Sequence, residues 1–201
     1  MKNPILLAMA SVMLLSSCEK SAEALIEKAT TSPNTVTANG FTKFTIKKGQ
    51  HFAEGNAYKA VELSEMKFAV KFDSTAIYRT AASENQYDIN KLYGFSDNNA
   101  DHHQYSARFG WRWSNNALRL FAYIYNNGSV LSKELKAISL GTEVTCSIIV
   151  TSTSYIFTVD GVSQGLPRLA STPKAKGYQL YPYFRGDETA PHDVNVYIKS
   201  L

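Results

Sequence analysis

Very little in this chain can hold it together except packing. Only Cys18 and Cys146 are cysteine among 201 residues, so no disulfide framework is available to staple a small fold. Charged residues make up 19% of the chain, fewer than in an average soluble domain. No dense basic run occurs. Lys43, Lys47 and Lys48 come nearest, and they read as a solvated strand edge. No internal repeat or long low-complexity segment is present. What is abundant is aromatic, with 12 tyrosines and 10 phenylalanines, a composition that suits sheets and wet aromatic surfaces better than helices.

The amino terminus is the most legible segment. Lys2 precedes an apolar stretch from Ile5 to Leu15, and small residues lead into Leu15-Ser16-Ser17-Cys18. A short basic start, an apolar run too brief to span a bilayer and small residues before a cysteine make a secretory signal ending in a lipobox. Residues 1–17 are thus expected to be a lipoprotein signal peptide and Cys18 the lipid anchor, placing the protein in the cell envelope on the outer membrane. Residues 18–39, rich in Ser, Thr, Ala and Glu, read as a tether in which Ser21 to Ala29 can form a short helix. Residues 40–201 have the size of one all-β domain. Cys146, in phase with Val144 and Ile148, reads as a small core residue. The mild net charge of +4 suits acidic or neutral glycans, and export argues against nucleic acid as a partner.

Period-two alternation dominates from Gly40 onward. Met66, Phe68, Val70 and Phe72 share one parity, as do Val144, Cys146, Ile148 and Val150, then Tyr155, Phe157 and Val159. Asp160-Gly161 and Asn126-Asn127-Gly128 read as tight turns, and Val194 to Leu201 as a closing strand. Roughly ten short strands without a convincing helix predict an all-β, two-sheet antiparallel sandwich.

Parity assigns side chains to faces. Tyr105, Ala107, Phe109, Trp111 and Trp113 form one inner row, and His102, Gln104, Ser106, Arg108, Gly110 and Arg112 the opposite, polar row. Leu118, Leu120, Ala122 and Ile124 face inward, which turns Arg119, Phe121, Tyr123 and Tyr125 outward. Leu180, Pro182 and Phe184 likewise oppose Gln179, Tyr181, Tyr183 and Arg185. Outward aromatics beside arginines suit sugars, whose C–H faces want aromatic planes and whose hydroxyls and carboxylates want donors. The expected ligand-binding set is Arg108, Arg112, Tyr123, Tyr125, Tyr181, Tyr183 and Arg185, with His102 and Gln104 at its edge.

Three polar clusters remain. Asp97-Asn98-Asn99-Ala100-Asp101 offers oxygens to calcium, but its spacing matches no EF-hand and a polar turn is the simpler reading, so no cofactor is expected. A strand beginning at His102 throws His102 and His103 to opposite faces, against a chelating pair. Gly186-Asp187-Glu188 and Ala190-Pro191-His192-Asp193 read as a solvated rim loop, although paired carboxylates can hydrolyse glycosides.

With the lipobox and the segments Phe109-Gly110-Trp111-Arg112-Trp113 and Tyr181-Pro182-Tyr183-Phe184 in view, the chain resembles the concanavalin-like jelly-roll lipoproteins of Gram-negative bacteria, often encoded with glycan-uptake systems. That resemblance implies a jelly roll whose concave sheet holds a polysaccharide, with outer-membrane uptake partners. The chain is also similar to jelly-roll alginate lyases, whose tyrosine-rich strand Tyr123-Ile124-Tyr125-Asn126-Asn127 echoes. This second resemblance implies Tyr125 as proton acceptor and donor, with His102, Gln104 and Arg108 completing the catalytic set. The lyases' Arg-x-Glu-Leu-Arg and Gln-Ile-His or Gln-Val-His motifs are absent, and Asn127 stands where a glutamine is expected. The sequence therefore points first to a lipid-anchored glycan-binding protein. A uronate-directed polysaccharide lyase comes second, and a structural or adhesion lipoprotein with a protein partner third.

Overall fold

The computed structural model describes residues 34–201; the signal peptide, Cys18 and the proposed Ser21–Ala29 helix lie outside them. Twelve strands form: β1 (Thr42–Ile46), β2 (Ala60–Leu63), β3 (Glu65–Phe72), β4 (Asn90–Ser96), β5 (Tyr105–Ser114), β6 (Ala117–Asn126), β7 (Ser129–Ile138), β8 (Val144–Val150), β9 (Ser154–Val159), β10 (Val162–Pro167), β11 (Ala175–Leu180) and β12 (Val194–Ser200). They make two six-stranded sheets, ordered β1-β12-β3-β8-β9-β10 and β2-β11-β4-β5-β6-β7, with antiparallel pairing in each. This is a jelly-roll sandwich. Pairing begins ahead of Gly40, where Val36 bridges to Thr42. The edge strands β7 and β10 have mostly exposed side chains and β2 has no buried one, so hydrophobic alternation fades there and the sequence undercounts strands.

Alternation builds the core. Phe109 of β5 meets Phe68 of β3 edge-on at 5.6 Å and Phe157 of β9 at 5.2 Å, locking one sheet onto the other. Leu118, Leu120, Ala122 and Ile124 of β6 are completely buried on the same inner layer. Cys146 is buried there too, its thiol pushed above the usual range by burial. The β6–β7 and β9–β10 hairpins turn on Asn127-Gly128 and Asp160-Gly161, and β5–β6 on Asn115-Asn116; all six residues have positive φ, as type I′ turns require.

One irregularity positions the site. Between Lys91 and Gly94, β4 advances one residue more than its partner β5, a bulge that leaves both Leu92 and Tyr93 in the core. Counting back from inward Phe95, strict alternation points Lys91 into the core. The bulge instead turns it to the opposite face.

Candidate functional site

The outer face of the β2–β7 sheet carries a cleft of about 670 Å³, lined by Asn85, Asp88, Lys91, His102, His103, Arg108, Tyr125, Tyr183, Arg185, Gly186 and Asp187. Cross-strand pairing sets its floor. Gly94 of β4 lies beside Arg108 of β5, and Arg108 beside Tyr123 of β6. A Cβ on Gly94 would come within 2.4 Å of the Arg108 Cβ and would also collide with the Ala107 carbonyl, so glycine is what lets β4 approach β5 this closely. Lys91 sits across from Gly110 in the next rung.

Three polar side chains are nearly sealed into this floor: Tyr123 is 1%, Lys91 2% and Arg108 7% exposed. Lys91 Nζ donates to the Ile89 carbonyl at 2.6 Å and lies 3.3 Å from the centre of the Tyr123 ring. Burial, then Arg185 and Arg108, press the Lys91 amine down to about 5, with Asp88 opposing. The carbonyl and the ring face also favour the ammonium, but they face desolvation and two guanidiniums. Burial lowers Arg108 only to about 10, so it stays charged at neutral pH. Burial raises the Tyr123 phenol to about 12, keeping it a proton donor. Arg108 Nε and the Tyr123 hydroxyl are buried without a hydrogen-bond partner. Such orphans are uncommon and costly; of the three among the described residues, two belong to this cluster and the third, Trp111 Nε1, lies in the core.

The walls come from loops. Beyond the end of β11, the backbone of Tyr183 exchanges two hydrogen bonds with Lys91, at 2.8 and 3.0 Å, which sets Tyr183 and Arg185 beside the floor. Tyr183 stacks on His51 at 5.4 Å with 12° between the rings. The Arg185 guanidinium lies 5.8 Å from the Tyr123 ring. Asp88 and Asp187 supply the acidic wall. Glu188 ties that wall down by accepting from the Ala81 and Ala82 amides and from Asn85 Nδ2 at 2.7–2.9 Å. On the remaining side, His102 Nδ1 lies 2.9 Å from the Tyr178 hydroxyl; burial, then Arg108 and His103, draw its imidazole below the usual range despite Asp101.

The structure brings together Arg108, Tyr123, Tyr125, Tyr183, Arg185 and His102 of the expected set, and separates the rest. Tyr181 turns inward to pack at 5.8 Å from Phe44 and 6.0 Å from Tyr93, and Gln179 donates to the buried Tyr93 hydroxyl. Gln179 lies across from inward Phe95 and Leu180 across from Gly94, so Gln179 and Tyr181 form an inner row, and the alternation breaks between Tyr181 and Tyr183, beyond the end of β11. Arg112 is occupied elsewhere, donating to the Tyr87 carbonyl at 2.8 Å and lying 4.7 Å from the Phe121 ring. Gln104 is exposed in a turn before β5 and is not part of the cleft wall. That turn also corrects the two histidines: their rings lie 4.0 Å apart instead of on opposite faces, and with Asp101 they offer three metal-ligating atoms within 4.8 Å of one another.

The Asp97 carboxylate is saturated by its own chain. Arg168, Tyr155, Thr172 and the amides of Asn98 and Lys176 all donate to its carboxylate, leaving nothing to offer a cation. In the rim loop Asp193 pairs with Lys47 at 3.0 Å, and His192 Nε2 meets the Thr75 carbonyl; of its acids only Asp187 reaches the cleft. The residue that sequence reasoning missed is Lys91. Its signal was indirect: Gly94, near the middle of a buried strand, marks a bulge or close backbone approach.

No family model matches the chain, and no curated protein matches its sequence. Solved structures match its fold. Alginate lyase AlyC3 superimposes with a TM-score of 0.57 at 11% identity, covering 84% of this chain and 76% of that one. Alginate lyase vAL-1 from Chlorella virus gives 0.53 at 12%, covering 83% and 86%. The laminarinase catalytic domain from Thermotoga maritima gives 0.52 at 13%, covering 84% and 78%. The chain is thus distantly similar in structure to jelly-roll alginate lyases, and it shares that sandwich with a laminarinase at almost the same score.

Proposed function

We propose that this protein cleaves a uronate-containing polysaccharide by β-elimination, as a polysaccharide lyase. The observation that carries the reading is the floor cluster: a charged arginine and a protonated tyrosine, each with a buried donor unused, beside a lysine at the base of an open cleft. Two guanidiniums and a phenol present donors where a sugar carboxylate can sit. The structural likeness to alginate lyases supports the same reading over simple glycan binding.

In this mechanism Arg108 and Arg185 meet the uronate carboxylate and Tyr123 donates to it, which spreads the charge that develops when the proton at C5 departs. The phenolate form of Tyr125, half-buried on the wall above Arg108, accepts the C5 proton and, as the phenol so formed, returns it to O4. The C5–H and C4–O4 bonds break, a C4=C5 double bond forms, and the proton ends on the leaving oxygen. The carboxylate also offsets the neighbouring guanidiniums at Lys91 and draws a proton onto its amine, so that substrate completes its own counter-charge. Tyr183 supplies an aromatic plane for an adjoining sugar.

The lipobox adds a location to the proposal: Cys18 anchors the enzyme to the outer membrane, where uptake proteins take its products. A Cys18→Ala chain released from the membrane fraction tests that part alone. Catalysis is tested by incubating the purified protein with alginate, pectate and polyglucuronate and following the ultraviolet absorbance of the unsaturated product. A rising trace on one polymer is expected. A flat trace with retained polymer affinity makes the protein a glycan binder; no affinity for any of them, read by intrinsic fluorescence, turns the cleft toward a protein partner.

A further inference from the structure

The geometry points to a site for a divalent transition metal, zinc above all, held by Asp101, His102 and His103 at the rim of the cleft. The turn before β5 pre-forms it. The Gln104 and Tyr105 amides both donate to the Asp101 carbonyl, at 2.8 and 3.1 Å, and the Ser106 hydroxyl donates to the His102 carbonyl at 2.7 Å. Asp101 Oδ1 accepts the His103 amide at 2.8 Å. With the backbone fixed, the Asp101 carboxylate stands between the imidazoles: His103 Nδ1 is 3.2 Å from Oδ1 and His102 Nδ1 3.7 Å from Oδ2. The Tyr178 hydroxyl lies 2.9 Å from His102 Nδ1, a contact that an ion bound at that nitrogen replaces.

All three ligand atoms lie within 4.8 Å of one another. Tetrahedral zinc, with bonds of about 2.0–2.1 Å, spaces its ligands about 3.4 Å apart, so modest side-chain rotations close the site around an ion. Two imidazoles and one carboxylate favour zinc, nickel or copper over calcium or magnesium, which want oxygen alone. More than half of the His103 and Asp101 side chains is open to solvent, leaving an entry path and room for water as the fourth ligand. A dication there adds positive charge at the rim where His102 and His103 border the arginine-floored cleft.

This site does not rest on the lyase reading, and its test does not use activity. The untagged, full-length protein is titrated calorimetrically with Zn²⁺ and with Ca²⁺, and Co²⁺ is added as a visible-absorption probe. One Zn²⁺ per chain, no Ca²⁺ heat and a tetrahedral Co²⁺ spectrum are expected. His103→Ala and His102→Ala each weaken Zn²⁺ binding by more than about tenfold, since even groups that only orient ligands act on that scale, while His192→Gln retains it. Far-UV circular dichroism shows that the variants are folded. Absence of Zn²⁺ heat, or unchanged binding in folded His103→Ala, overturns the proposal.

Discussion

The two ends of β4 carry the same ingredients and use them in opposite ways. Just past its last residue, Asp97 and Arg168 form an ion pair at 2.8 Å with side chains 0% and 1% exposed. Burial works against the charge of Asp97, but bonds from Arg168, Tyr155 and two backbone amides outweigh it and hold the carboxyl below its usual range. Near the first residue, Lys91 shares its burial with Arg108 and Tyr123, and no carboxylate is hydrogen-bonded to any of them. One end is a closed account of donors and acceptors. The other leaves Arg108 Nε and the Tyr123 hydroxyl without an acceptor at the floor of a cleft, which is the arrangement expected of a site that an anionic ligand completes.

The largest effect expected from breaking this contrast is at the cleft. Tyr125→Phe removes the proton carrier and should lower the lyase rate by about 10²–10⁴-fold, with melting behaviour close to wild type because Tyr125 sits on the wall. A variant that stays active means that another group moves the proton. Next comes Asp97→Ala, which strands Arg168 in the core and should cost about 3–5 kcal/mol of stability, read from urea unfolding. A loss comparable to that of an exposed pair would erase the distinction between the two ends.

Lys91→Met separates stability from function more finely. The folded amine, near 5, lies far below its ordinary 10.5, so between those values the unfolded chain binds more protons than the folded one. Wild-type stability therefore rises with pH across that window. Lys91→Met removes the term. The variant should be the more stable protein at pH 6, with its advantage shrinking by up to about 1.4 kcal/mol per pH unit toward pH 10, and its lyase activity should fall. A constant difference across pH would mean that Lys91 keeps its proton in the folded state.

Sequence reading succeeded where strands are regular. The inner and outer rows of β5 and β6 follow from a two-residue period, and Arg108, Tyr123 and Tyr125 were legible for that reason. It failed wherever the period breaks. The bulge in β4 hid Lys91, the break beyond β11 put Tyr183 on the cleft face while Gln179 and Tyr181 face the core, and the turn before β5 brought His102 and His103 together. The ion pair of Asp97 was illegible for another reason: Arg168, which saturates it, is 71 residues away in sequence, and no local pattern announces a partner at that distance.

Arg112 gives the smallest effect and the sharpest check on what parity can read. It shares strand, face and residue type with Arg108, four residues on, yet its guanidinium donates to the Tyr87 carbonyl and the Ser114 hydroxyl and rests against the Phe121 ring. An arginine already satisfied by its own chain has nothing left for a uronate. Arg112→Ala should leave lyase activity within about twofold, because it contacts no cleft residue, and should cost about 0.5–1.5 kcal/mol for its lost hydrogen bonds. Arg108→Ala, which breaks no protein hydrogen bond, should do the reverse and raise KM for the polymer far more than it changes stability. If the two substitutions behave alike, the unpartnered Nε of Arg108 does not distinguish a binding arginine from a structural one.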